Sequence, residues 1–174
     1  MSLAICLSLC IPVHAQEGEP LALPVEQQAR NYALRFMTQS QEDPDITVRD
    51  FITLTDGCGN TTGYYVSFNN PEGPAGYTLL SLISGEDPLV EFAFEGDGLF
   101  SDEETALYEE NSEHGEAKAE SHGIIYRGPG EIYLPIEDDM YYSVYDHETT
   151  TIDTSIAPHI TISGGILDWG GCLY

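Results

Sequence analysis

The chain has 174 residues, of which 30 are acidic and five are lysine or arginine, giving a formal charge of −25 at pH 7. Nucleic acid and anionic lipid both need clustered basic side chains. Arg30, Arg35, Arg49, Lys118 and Arg127 stand singly, so both are excluded as partners, while a neutral or basic protein surface, a cation or an uncharged polymer stays open.

Residues 1–15, MSLAICLSLCIPVHA, are uncharged and apolar, and the chain turns acidic just afterwards. The run is too short to span a bilayer. It reads as a signal peptide cut between Ala15 and Gln16. It has no basic residue near its start, so a start further upstream stays open. A lipid anchor on Cys10 competes, against which stands Leu9 where a small residue is expected. The chain is therefore expected to be secreted, with no membrane attachment after cleavage. The remainder of the chain is long enough for one domain that buries roughly two thirds of its unfolded surface. Two cysteines survive processing, Cys58 and Cys172. An oxidising compartment permits a bridge between them, but sequence does not give the distance that it needs.

After an acidic leader (16–23), Pro24 opens a helix in PVEQQARNYALRFMTQSQ, where its missing N–H is harmless. Val25, Ala29, Tyr32, Ala33, Phe36 and Met37 recur at helical spacing, and the helix is expected to end near Gln41. From Ile46 the period changes to two, predicting a strand over 46–55. DGCGN (56–60) is a hairpin-type turn. Tyr64, Val66 and Phe68 then point one way, and Tyr65 and Ser67 the other. NNPEGPAG is expected to be a loop, Tyr77 to Ile83 a central strand, and SGEDP a turn. Val90, Phe92 and Phe94 alternate against Glu91, Ala93 and Glu95. Short turns between these four strands argue for antiparallel pairing.

The segment 101–120 is acidic and reads as a solvated helix or loop. Ile124–Arg127, Glu131–Pro135 and Met140–Tyr145 are three short strands, with RGPGE and EDD as turns. Residues 146–163 are rich in threonine and read as a loosely held connector. The expected fold is one α+β domain: an N-terminal helix packed on an antiparallel sheet, with additional short C-terminal strands.

The chemistry of known sites finds little here. A thiol nucleophile needs a nearby histidine, often at a helix N-terminus. Cys58 lies in a glycine turn, Cys172 has two residues after it, and His114, His122, His147 and His159 fall in loop-like sequence. No HExxH or CxxC spacing supports zinc. EGDGLFSDEE (95–104) offers hard oxygens for calcium, but not at EF-hand spacing, and an acidic loop facing water is the simpler reading. No carboxylate pair stands out for glycoside hydrolysis. No GxSxG, P-loop or dinucleotide fingerprint occurs. No catalytic, cofactor-binding or metal-ligating residue is therefore assigned. Among the 11 tyrosines, Tyr141, Tyr142 and Tyr145 fall together on one strand. They are the candidate protein interface, against the commoner reading that strand tyrosines simply pack.

The helix, followed by "FITLTDGCGNTTGYYVSFNN", "AGYTLLSLISGEDPLVEFAFEGDGLF" and "GIIYRGPGEIYLPIEDDMYYSVYD", resembles the propeptide region of secreted bacterial cysteine peptidases. These are the streptopain-like and bacteriocin-leader-peptidase-like secreted enzymes. The resemblance covers roughly residues 24–146 and consists of packing residues. It implies an α+β pro-region that holds a catalytic domain inactive and assists its folding, while some relatives act as separate inhibitors. The family's catalytic cysteine and histidine have no matching positions here. The division expected on this basis is a signal peptide (1–15), a propeptide-like domain (16–145) and a connector or truncated tail (146–174). The implied function is non-catalytic: binding, and inhibiting or helping to fold, a cysteine peptidase, as a free inhibitor or as a truncated precursor. The other reading is a secreted acidic binding module for cell-wall or host ligands.

Overall fold

Helix α1 (Val25–Ser40) turns Ala29, Tyr32, Ala33 and Met37 inward, all four buried. They meet Tyr64, Val66 and Phe68 of the strand beneath, with Ile46, Ala75 and Leu80 completing the cluster. The computed structural model describes residues 23–83, 85–101, 104, 106, 123–137 and 140–153. The signal peptide with Ala15 and Gln16, Cys172 and hence its pairing with Cys58, the histidines 114, 122 and 159, and most of the acidic segment lie outside the described residues.

The strands are β1 (Thr47–Thr55), β2 (Thr61–Asn70), β3 (Gly73–Ser81), β4 (Leu89–Ala93), β5 (Ile125–Gly128), β6 (Glu131–Glu137), β7 (Met140–Ser143) and β8 (Glu148–Thr151). They form one eight-stranded sheet in the order β4-β3-β2-β1-β5-β6-β7-β8. Neighbours pair antiparallel except β1 and β5, which run parallel with Thr55 opposite Ile125. The Thr55 N–H donates to the Ile124 carbonyl at 2.9 Å across that junction.

This overturns the expected α+β class. The protein is mainly β: among the described residues, one mixed sheet is curled into a half-barrel and α1 is the one full helix. The later strands do not make a separate region. They extend the sheet from the outer edge of β1, whose backbone groups would otherwise lack partners. The curl then gives both halves one interior. Leu54, Tyr65 and Leu79 from the first half pack there with Tyr126, Ile132, Leu134 and Val144 from the second.

Strand β2 is buried on both faces, which explains TTGYYVSF. Its even-numbered aromatics sit under α1 and Tyr65 points into the curl. Gly63 has no room for a side chain, because a Cβ would collide with the Leu80 carbonyl and touch the Tyr126 ring.

Two loop expectations also change. NNPEGPAG is a tight turn rather than a loop. Asn70 Oδ1 accepts from the N–H groups of Glu72 and Gly73 at 2.9 and 3.2 Å, and β3 begins at once. Gly76 lies further along at φ +86°, where a Cβ would strike the Ala93 carbonyl, so glycine lets β4 approach. Residues 148–151 form a strand where a connector was expected. ETTT is exposed throughout and has no apolar alternation, so its only strand signal is its β-branched threonines.

Candidate functional site

Of the three candidate interface tyrosines, Tyr141 is buried in β7, while Tyr142 and Tyr145 are both half-buried against the interior cluster. The Tyr142 hydroxyl lies 3.1 Å from His147 Nδ1. Tyr145 sits in the turn after β7 and donates its hydroxyl to Glu91 of β4. Strand alternation separates Tyr141 from Tyr142. Cys58 is exposed in the DGCGN turn. That turn is held by Asp56, whose Oδ1 accepts from the N–H groups of Cys58 and Asn60 at 2.7 and 3.0 Å. Burial opposes ionisation of Asp56, but the donors from Asn60 and Cys58 outweigh it and hold the carboxyl below its usual range. In the candidate calcium segment, Glu104 is turned inward and engaged by Ser101. Among the described residues no group of three His, Cys, Asp or Glu side chains could hold a metal ion.

What the fold brings together is an aromatic corner. Phe36 of α1 packs edge-on against Phe92 of β4, with ring centroids 5.1 Å apart. It stacks on Phe94 at 6.1 Å, and Phe92 and Phe94 are 5.0 Å apart. Phe92 is 46% exposed and Phe94 38%. Phe92 in β4 and Phe94 just past it are exposed beside Phe36, which packs partly on the core, and exposed apolar patches mark contact surfaces. Among the described residues β4 is an edge strand, with a strand neighbour for Phe92 on one side only.

Exposed Arg35 precedes Phe36 and exposed Glu95 follows Phe94, so charges of both signs stand beside the rings in the sequence. Gln41, just past α1, donates to the Ala75 carbonyl at 3.2 Å, and Ala75 bridges Gly96. Exposed Glu42 and Glu95 flank these positions. The last turn of α1 carries no basic residue to offset the negative end of its dipole, although Arg35 is one residue from Phe36.

The sequence pattern read Val90, Phe92 and Phe94 as one face against Glu91. A register irregularity near Leu80 and Leu89 breaks that alternation. Val90 joins the interior, and Glu91 accepts from Tyr77 as well as Tyr145. Nearby, Glu86 Oε2 accepts from Ser81 Oγ at 2.6 Å and from Tyr126 OH at 2.9 Å. Burial first, and then the hydrogen bond to the carboxylate, pushes the Tyr77, Tyr145 and Tyr126 phenols well above their ordinary value. The Tyr145–Glu91 contact ties β4 to the turn before β8, and the Tyr126–Glu86 contact ties the turn before β4 to β5.

The corner yields a stability expectation. Phe36 is only half-buried, so Phe36→Ala should cost about 1–2 kcal/mol rather than the about 3–5 kcal/mol of a fully buried ring. The shift of the urea midpoint at unchanged slope measures it.

No protein family, no curated protein and no solved structure matches the chain.

Proposed function

We propose that this chain is a non-catalytic protein-binding domain that engages its partner through the Phe36–Phe92–Phe94 corner. The exposed Phe92–Phe94 pair packed against Phe36 is the observation that carries the reading. Rings held against one another offer contact area at little cost in entropy, and such anchors dominate binding energy. The overall charge of −25 at pH 7 suits a partner surface that carries basic groups.

The partner class proposed is the catalytic domain of a streptopain-like cysteine peptidase, which the chain would hold inactive. Support for that class is the sequence pattern over residues 24–146. The mainly β architecture departs from the α+β fold which that resemblance implied, so it lends the peptidase no support of its own.

The experiment is a titration of such a peptidase from the same organism with residues 16–174 and with a Phe92→Ser/Phe94→Ser double variant. The chain alone should hydrolyse nothing. The natural chain should inhibit, more weakly as salt rises. The variant should bind at least about tenfold more weakly, a loss of about 1.4 kcal/mol or more, while its circular dichroism is retained. If saturating chain leaves the peptidase fully active and calorimetry detects no heat, the peptidase reading fails.

A further inference from the structure

Ser101 and Glu104 satisfy each other. The Ser101 N–H and hydroxyl donate to Glu104 Oε2 at 2.8 and 2.9 Å, and the Glu104 N–H donates to Ser101 Oγ at 3.2 Å. This reciprocal arrangement is a capping box, and it occupies only one carboxylate oxygen. Glu104 is 6% exposed, and its Oε1 is buried with no hydrogen-bond partner among the described residues. A buried carboxylate oxygen without a donor is costly.

One group that can gain a charge stands within reach. His147 Nδ1 lies 3.8 Å from Glu104 Oε1. The turn between β7 and β8 aims it there. His147 has φ +55°, a left-handed conformation uncommon for a residue other than glycine. Its N–H donates to the Ser143 carbonyl at 3.0 Å, and Ser143 Oγ donates to Asp146 Oδ2 at 2.8 Å. The ring itself is largely exposed, so a proton reaches it without any opening of the fold.

The geometry points to an acid-strengthened latch: protonation of His147 gives the buried Glu104 oxygen a charged partner and fastens the Ser101–Glu104 turn to the β7–β8 turn. In the neutral ring with its proton on Nε2, Nδ1 accepts from the Tyr142 hydroxyl and offers Oε1 nothing. In the imidazolium, Nδ1–H carries its charge between the Tyr142 oxygen and Oε1. Among the described residues, the charged or titratable groups around the ring are Glu104, Tyr142 of β7, and the chain neighbours Asp146 and Glu148. The two turns lie on opposite sides of the open curl, one after β4 and one before β8, so the latch works beside the Tyr145–Glu91 contact. It does not depend on the peptidase reading.

Hydrogen exchange at the Glu104 amide tests it. Exchange is measured at about pH 5.5 and about pH 7.5, on either side of ordinary histidine titration, and corrected for the intrinsic rate. Protection in the natural chain should be about threefold higher at the lower pH, the scale of a partly exposed ion pair. Glu104→Gln keeps a side chain suited to the capping box but removes the charge, and His147→Asn suits the left-handed backbone. Each variant should show equal protection at the two pH values. A natural chain with no difference, or a folded variant that keeps the full difference, overturns the latch. Should His147→Asn fail to fold, Glu104→Gln decides alone.

Discussion

Phe68→Ala is expected to destabilise the protein by about 3–5 kcal/mol, the range for emptying a fully buried phenylalanine site. Phe68 has no exposed surface. It lies in the cluster where α1 meets β2, with Ala29, Ala33 and Met37, and it stands opposite Val48 of β1. Nothing small can fill the space, because the helix contributes alanines and the strand backbone on either side is fixed by its ladders. Domains of this kind hold together by about 5–15 kcal/mol in all, so one ring is a large share. Urea denaturation should show a much lower midpoint with an unchanged slope. A loss under about 1 kcal/mol would mean that α1 does not cover β2. The contrast with Phe36→Ala separates ring burial from ring size, since both positions lose the same atoms.

The helix was legible from Pro24 and from spacing, and its inward face was partly so. Ala29, Tyr32, Ala33 and Met37 are buried, but Val25 is 45% exposed and Phe36 only half-buried. A periodic stripe identifies which side faces inward. It does not say how far the supporting sheet extends beneath each end. The strands of the first half were legible for the same reason, as local alternation or a continuous apolar run between turns. Strand order was not. The β1–β5 junction rests on one register pair, Thr55 with Ile125, and a contact between residues so far apart leaves no local pattern. That junction is what makes one mixed sheet out of two antiparallel halves, and it overturned the expected fold class. Alternation already put Phe92 and Phe94 on one face; the irregularity near Leu89 moved Val90 to the other, and the exposure of the pair was hidden because it depends on β4 lying at the sheet edge. Glu104 had a local signal, because SDEE (101–104) has the spacing of a capping box. Its burial had none, since carboxylates in an acidic run are ordinarily solvated.

Alkaline solution should unfold the protein, and the tyrosines that join the curl should report it. The Tyr77 and Tyr145 hydroxyls both donate to Glu91, and Tyr126 donates to Glu86. Burial, reinforced by those carboxylates, raises all three phenol pKa values above the ordinary one, which for tyrosine is about 10. A native state that holds its protons more tightly than the unfolded chain is favoured while both are protonated. The contribution of these phenols is therefore complete below about pH 10, where unfolded tyrosine begins to ionise. Above that pH the unfolded chain binds fewer protons than the native one, so stability falls steadily towards the raised native values. Ionising any of the three in place would set a phenolate against a carboxylate at hydrogen-bond distance, which half-buried surroundings screen poorly. Spectrophotometric titration should thus show Tyr77, Tyr126 and Tyr145 ionising only above the ordinary tyrosine range, as tertiary circular dichroism is lost. Tyr145→Phe should reduce the steepness of the loss above about pH 10 by removing one raised proton site, though it leaves Glu91 with one donor fewer at neutral pH. If every tyrosine ionises in one reversible step near the ordinary tyrosine pKa with the tertiary signal intact, the carboxylate–tyrosine contacts do not hold the curl together.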